Sequence, residues 1–163
     1  MSLSPRVAEI ITELELRPHP EGGWFRETYR SEMKVRSPQA GAERSAITDI
    51  HFLLSGGEIS RFHRVLHDEI WNYCEGAPLI LHLAVPDGAF TGSVTLGSRG
   101  EGRALKHVVP AGHWQAAETA GEYTLVSCAV APGFDFADFG FLRDAAEQSA
   151  KLRQSAPDLA RLV

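Results

Sequence analysis

A chain of 163 residues, 44% hydrophobic and 23% charged, has enough apolar material for one domain with its own core, burying roughly 70% of the surface its unfolded form would expose. A net charge of -5 and the lack of any Lys/Arg run argue against a nucleic-acid surface. No apolar stretch reaches the ~18 residues of a membrane span, and no basic region followed by an apolar run opens the sequence, so the expectation is a cytoplasmic protein that binds neither nucleic acid nor membrane.

The first predicted element is an amphipathic helix at about 4–16: Ser4 can cap it, Pro5 suits its first position, and Val7, Ile10, Ile11 and Leu14 form one apolar stripe. Pro18-His-Pro20-Glu-Gly-Gly23 ends it, and from about 24 to 135 the texture turns to short apolar or alternating runs. Strands are predicted near 24–30, 46–54, 59–65, 69–75, 79–85, 90–96, 104–109, 113–118 and 122–130. Many short strands at close spacing with no helices between them imply an all-β antiparallel sandwich or barrel.

Residues 31–45 are polar and aperiodic, which reads as a long loop, mobile or functional in the manner of a lid. Cys74 and Cys128 lie in apolar strand-like runs and read as buried free thiols. After the last strand, Pro132 to Phe141 alternates aromatic and polar residues, a candidate plug for one end of the barrel with Asp135 and Asp138 at a polar rim. The segment 138–163 turns helical, with Leu142, Ala145, Ala146, Ser149 and Leu152 on one side and a last turn from Pro157. With no repeat or low-complexity tract, residues 1–163 read as a single domain.

Two motifs carry the functional signal. Gly57, His63, Glu69 and Gly76 keep a fixed spacing, and Pro110-Ala-Gly112-His-Trp-Gln115 follows on a later strand-turn-strand unit. The first resembles the first motif of the cupin superfamily, with Val65 where a second histidine belongs; the second resembles the second cupin motif, with Gln115 replacing its histidine. The flanking segments His19 to Arg30, Asp68-Glu-Ile-Trp71 and Val130 to Phe136 narrow the resemblance to the cupin-5 family over about residues 6 to 142. That resemblance implies a cupin jelly-roll barrel with short N- and C-terminal helices, a small-molecule pocket in its mouth and a homodimer, but no particular reaction.

Strand alternation places His63 and Val65 on one face, and Glu69, Trp71 and Tyr73 on one face of the next strand. Two cofactor readings stay open. In one, His63, Glu69 and Gln115, with His67 near the turn, hold a divalent metal weakly; in the other no metal is bound and His63 and Glu69 form a hydrogen-bonded polar pair. Without a metal the pair suits an isomerase or epimerase acting on a carbohydrate-like or nucleotide-linked substrate, with His63 as base, Glu69 orienting it and Tyr73 supplying the second proton. A metal-dependent enzyme and a ligand-binding or sensor module without chemistry are the alternatives. Trp24, Arg26, Tyr29, His51, Trp71 and Gln115 are the candidate ligand contacts, the aromatics for stacking and Arg26 for an anionic group.

Overall fold

Ser4 accepts a hydrogen bond from Val7 N on its side chain, and Pro5 fixes the first turn of helix α1 (Pro5–Glu13). The computed structural model describes residues 3–163. Val7 and Ile10 turn the apolar stripe of α1 onto Leu16, Leu53 and Leu125, so the helix seals the outer face of a sheet.

Strands β1 (Arg17–Pro18), β2 (Trp24–Arg30), β5 (Thr48–Ser55), β12 (Tyr123–Ala131), β7 (Asp68–Gly76) and β10 (Lys106–Val109) form a six-stranded sheet in the order β1-β2-β5-β12-β7-β10. Strands β13 (Gly140–Phe141), β6 (Ile59–Arg64), β11 (Trp114–Thr119), β8 (Leu79–Ala84) and β9 (Phe90–Leu96) form a five-stranded sheet in the order β13-β6-β11-β8-β9. All these pairings are antiparallel. Phe52, Trp71 and Val126 of the first sheet meet Leu79, Leu81, Leu96 and Ala117 of the second in a common core. The outer face of the five-stranded sheet is covered by Leu152 of helix α2 (Ala146–Ser155) and by Leu142 and Leu162 of the turns before and after it, against Phe62, Trp114 and Ala116. His82 and Glu118 on that face are joined at 3.0 Å, and Arg161 of the last turn reaches Glu118 at 2.7 Å.

The nine strands read from the sequence are present, with ends displaced by a residue or two. Residues 31–45 differ from expectation: they form a hairpin of β3 (Lys34–Ser37) and β4 (Ala42–Ser45), turned at Gly41 with φ +64°. The alternation escapes notice because its more buried face, Val35, Ser37, Ala42 and Arg44, mixes polar with apolar residues. Cys128 is buried as expected, whereas Cys74 is exposed, on the outward side of β7. Among the described residues no helix is long and apolar enough to cross a membrane.

Candidate active site

A cavity of about 320 Å³ opens at the end of the core where β1, β2, β5, β6, β7 and β12 converge. Its floor is polar. His63 projects into it from β6, Glu69 and Trp71 from β7, and Glu21 from the turn that precedes β2. That turn is held against β6: Arg61 N donates to Glu21 O at 3.0 Å, and a Cβ on Gly22, whose φ is +109°, would stand 2.1 Å from Ile59 O. Only glycine lets the backbone approach so closely, and the approach is what delivers the Glu21 side chain to His63.

Proton positions follow from the partners. His63 Nδ1 lies 2.7 Å from the carbonyl of Arg61, an acceptor only, so Nδ1 carries hydrogen and Nε2 holds the basic lone pair. Nε2 stands 3.0 Å from Glu21 Oε2, while Glu21 Oε1 accepts from the Ser60 hydroxyl at 2.8 Å. Trp71 Nε1, a donor only, gives its hydrogen to Gln115 Oε1 at 2.9 Å. This fixes the amide so that Gln115 Nε2 donates to Glu69 Oε2 and lies 3.2 Å from His63 Nε2.

Burial governs the ionisation of this group. Desolvation pushes the Glu21 carboxyl up to about 8, only partly opposed by the Ser60 hydrogen bond. Glu69 is raised to about 7, again by burial first, with His63 and Gln115 pulling the other way. Burial lowers His63 below its ordinary value against the attraction of Glu69. His19 is depressed to about 3, by burial and then by the proximity of His63, and its Nδ1 accepts from Glu21 N at 3.2 Å. The site is therefore a set of neutral imidazoles and carboxyls that hold protons near neutrality.

The walls are aromatic. Phe139 stacks on the His63 ring at 5.4 Å and 20°, and His19 packs edge-on against Phe25 at 4.5 Å. The segment after β12 supplies Phe134, Asp135, Phe136 and Phe139 to the lining, so the expected plug is a wall of the cavity. Arg44 ties it down by a paired contact to Asp138 at 2.7 and 2.8 Å, which places Asp138 in a latch away from the rim.

Four of the expected site residues meet here: His63, Glu69, Trp71 and Gln115. The others do not. Tyr73 shares the inward face of β7, but four residues along a strand span about 13 Å; its hydroxyl donates to Gly76 O at 2.6 Å, beyond Trp71, and it does not line the cavity. Trp24, Arg26 and Tyr29 fall on the outer face of β2, because Phe25, Glu27 and, after a bulge, Arg30 take the inner one. Trp24 packs beneath α1, Arg26 pairs with Glu15 at 2.8 Å, and Tyr29 is 55% exposed. His51 likewise points outward from β5, whose inward residues are Thr48, Ile50 and Phe52. His67 is consumed by the latch, with Nε2 2.7 Å from Ser37 Oγ and Nδ1 3.9 Å from Asp138. Glu21 and His19 are the residues sequence reading missed; the paired glycines after Glu21 were the available signal.

A metal of the kind cupin motifs hold does not fit these side chains. Val65 presents a methyl-lined wall, His67 is engaged elsewhere, and Trp71 forces the amide nitrogen of Gln115, which has no lone pair to give, toward His63 and Glu69. Among the described residues no group of three or more His, Cys, Asp or Glu side chains is arranged around a common ion position.

Residues 8–142 match the family model described as Cupin_5, cupin superfamily (DUF985). The chain belongs to that family. An uncharacterised protein of Saccharomyces cerevisiae is 31% identical over 150 residues, covering 83% of this chain and 74% of its own. A crystal structure from Shewanella oneidensis is 33% identical with a TM-score of 0.82, covering 99% of this chain and 98% of that one. A hypothetical protein from Leishmania major is 34% identical with a TM-score of 0.79, covering 96% and 95% of the two chains. The fold of this Cupin_5 member is thus the cupin double-stranded β-helix, and its motifs occupy the positions the barrel assigns them.

Proposed function

We propose that this Cupin_5 protein is a metal-independent isomerase or epimerase that moves a proton beside the carbonyl of a small carbohydrate-like molecule. One observation carries the reading: His63 Nε2, with its lone pair fixed by the Nδ1 contact to Arg61, sits 3.0 Å from a buried carboxyl inside the cavity, with a second buried carboxyl, Glu69, across from it. A neutral imidazole and a protonated carboxyl in one buried pocket are the base and acid that enolisation requires.

In the forward step His63 Nε2 takes the proton from the carbon next to the carbonyl. The C–H electron pair forms the enol double bond as Glu69 delivers its proton to the carbonyl oxygen. The products within the site are an imidazolium and the Glu69 carboxylate, which attract one another in a medium of low dielectric. Glu21, at hydrogen-bond distance from Nε2, stabilises the imidazolium and keeps the ring oriented. Returning the carbon proton to the other face of the same carbon while the Glu69 carboxylate takes back the enol proton gives epimerisation; returning it to the neighbouring carbon while Glu69 takes the proton of the adjacent hydroxyl gives isomerisation. Tyr73 has no part in either.

The test is solvent deuterium incorporation, followed by proton NMR, into a panel of reducing sugars and uronic acids. Wild-type protein should exchange a carbon-bound proton on at least one of them, and His63→Ala and Glu69→Gln should slow that exchange on the order of 10²-fold or more. Exchange at the wild-type rate in His63→Ala would refute the assignment.

A further inference from the structure

The two ends of the cavity differ in chemistry, and the difference selects a ligand. The floor holds Glu21 and Glu69 with two imidazoles and no cationic side chain. An anionic group placed there would displace water beside two carboxyls with nothing to balance it. The lysine and arginine side chains that line the cavity, Arg17 and Arg30, both stand at the mouth, on β1 and β2.

These two arginines are not equivalent. Arg30 is already committed: its guanidinium makes a paired contact to Glu27 at 2.9 and 2.7 Å and donates to Phe134 O at 3.1 Å. Among the described residues Arg17 has no carboxylate within ion-pair distance. Its guanidinium lies 5.0 Å above the Phe25 ring, which fixes its position over the opening without using its hydrogen bonds. Asp135, the other charged rim residue, turns its carboxylate to Ala137 N at 2.9 Å, capping its own turn. Arg17 is therefore the cation at the mouth with donors to spare, in a chain whose net charge is -5.

Phe25 connects the two ends. Its ring carries the Arg17 guanidinium and meets the His19 ring at 85°, and His19 adjoins Glu21. Two ring contacts, of 5.0 and 4.5 Å, lead from the guanidinium to His19, and Arg17 lines the same cavity as His63 and Glu69. The cavity volume of about 320 Å³ sits at the small end of ligand sites, enough for one such ring and not for a nucleotide as well. Phe25, Phe136 and Phe139 give the cavity apolar walls for the C–H groups of the ring, while hydroxyls meet His63, Glu21 and Glu69.

Building on the acid–base reading above, we propose that the substrate is a single sugar-like ring carrying a carboxylate or phosphate, with its anionic group held at the mouth by Arg17 and its ring seated between the aromatic walls of the cavity. Arg17 is on this view a specificity-determining residue and takes no part in the proton transfer.

The experiment measures binding of glucuronate, glucose 6-phosphate and uncharged methyl glucoside to wild type, Arg17→Ala, Arg17→Lys and His63→Ala, by calorimetry or saturation-transfer NMR. At least one anionic sugar should bind wild type about tenfold or more tighter than the neutral one. Arg17→Ala should abolish that preference, Arg17→Lys should keep part of it, and His63→Ala should keep all of it. Because Arg17 is exposed, the variants should fold as the parent does, which circular dichroism verifies. Preference for one anion over the other separates the carboxylate and phosphate arms. Equal binding of neutral and anionic sugars, a preference that survives in Arg17→Ala, or no binding of either anion at millimolar concentration would each overturn the proposal. Deuterium exchange read on the same samples keeps the two readings apart: exchange on a neutral sugar spares the acid–base assignment alone, and Arg17-dependent anion binding without exchange spares this one alone.

Discussion

Replacing Glu21 by glutamine tests the electrostatics of the site without a substrate. A carboxyl whose folded-state pKa lies above its unfolded value keeps its proton in the native protein after the unfolded chain has released it. Its contribution is complete below the ordinary value of 4.5 and is lost as pH rises to about 8 for Glu21 and about 7 for Glu69. The buried histidines act in the opposite sense: with folded values below 6.5, His19 and His63 make stability rise with pH up to 6.5 and leave it flat above. The window from pH 6.5 to 8 therefore isolates the carboxyls.

Across that window Glu21 gives up about 2 kcal/mol and Glu69 somewhat under 1, so the wild-type protein should lose on the order of 2–3 kcal/mol. Glutamine at position 21 is neutral throughout, retains an N–H for His63 Nε2, and should remove about two-thirds of the slope. Urea denaturation at pH 6.5 and pH 8, followed by circular dichroism, measures both. A wild-type stability that is level or rising between those pH values, or a Glu21→Gln protein with the wild-type slope, would show that Glu21 is ionised in the native state and refute the proton assignment.

Gly22→Ala should cost about 2–3 kcal/mol in the same denaturation assay and slow any exchange reaction as well, because the added methyl drives the Glu21 turn off Ile59 at a backbone angle that resists it. Trp71→Phe removes the donor that orients Gln115 while filling most of the same volume, and should lower stability by about 1–3 kcal/mol with a measurable change in the pH dependence of Glu69. Tyr73→Phe should lose at most about 1 kcal/mol and leave activity unchanged, since its hydroxyl serves Gly76 outside the cavity. Restoring the two replaced positions together, Val65→His with Gln115→His, should create divalent-metal affinity at least tenfold above wild type in a zinc titration; no gain would mean the wall geometry, and not the missing imidazoles, keeps a metal out.

The fold was legible because period-two alternation survives in nine strands and because glycine and proline mark most turns. The hairpin at 34–45 was not, since its buried residues are serines that no hydrophobic pattern reveals. Half of the candidate site was visible for a similar reason: His63, Glu69, Trp71 and Gln115 lie on strands whose inward face the motifs fix. No motif fixes β2, where Trp24, Phe25 and Tyr29 put aromatic residues on both faces and the bulge after Glu27 reverses the parity. Reading the wrong face there exchanged Phe25, Glu27 and Arg30 for Trp24, Arg26 and Tyr29. Glu21 and His19 meet His63 only through the fold, from about 40 positions away in sequence.

The substitutions at 65 and 115 gain a common meaning from that geometry. A histidine at 115 would present a lone pair to the pocket; glutamine, oriented by the Trp71 indole, presents N–H groups instead, and these stabilise whatever negative charge Glu69 develops. A histidine at 65 would add a second base to the wall, whereas Val65 leaves His63 as the one imidazole on its strand facing the cavity. Both changes move the site away from donating electron pairs to an ion and toward handling protons between His63 and the two carboxyls. Glu21 supplies what the motif itself lacks, a partner for His63 Nε2, and it does so from a turn that two glycines press against the barrel. On the proposed acid–base reading the altered cupin motif and the Glu-Gly-Gly turn act together, and a substitution in either should disturb the ionisation of the other.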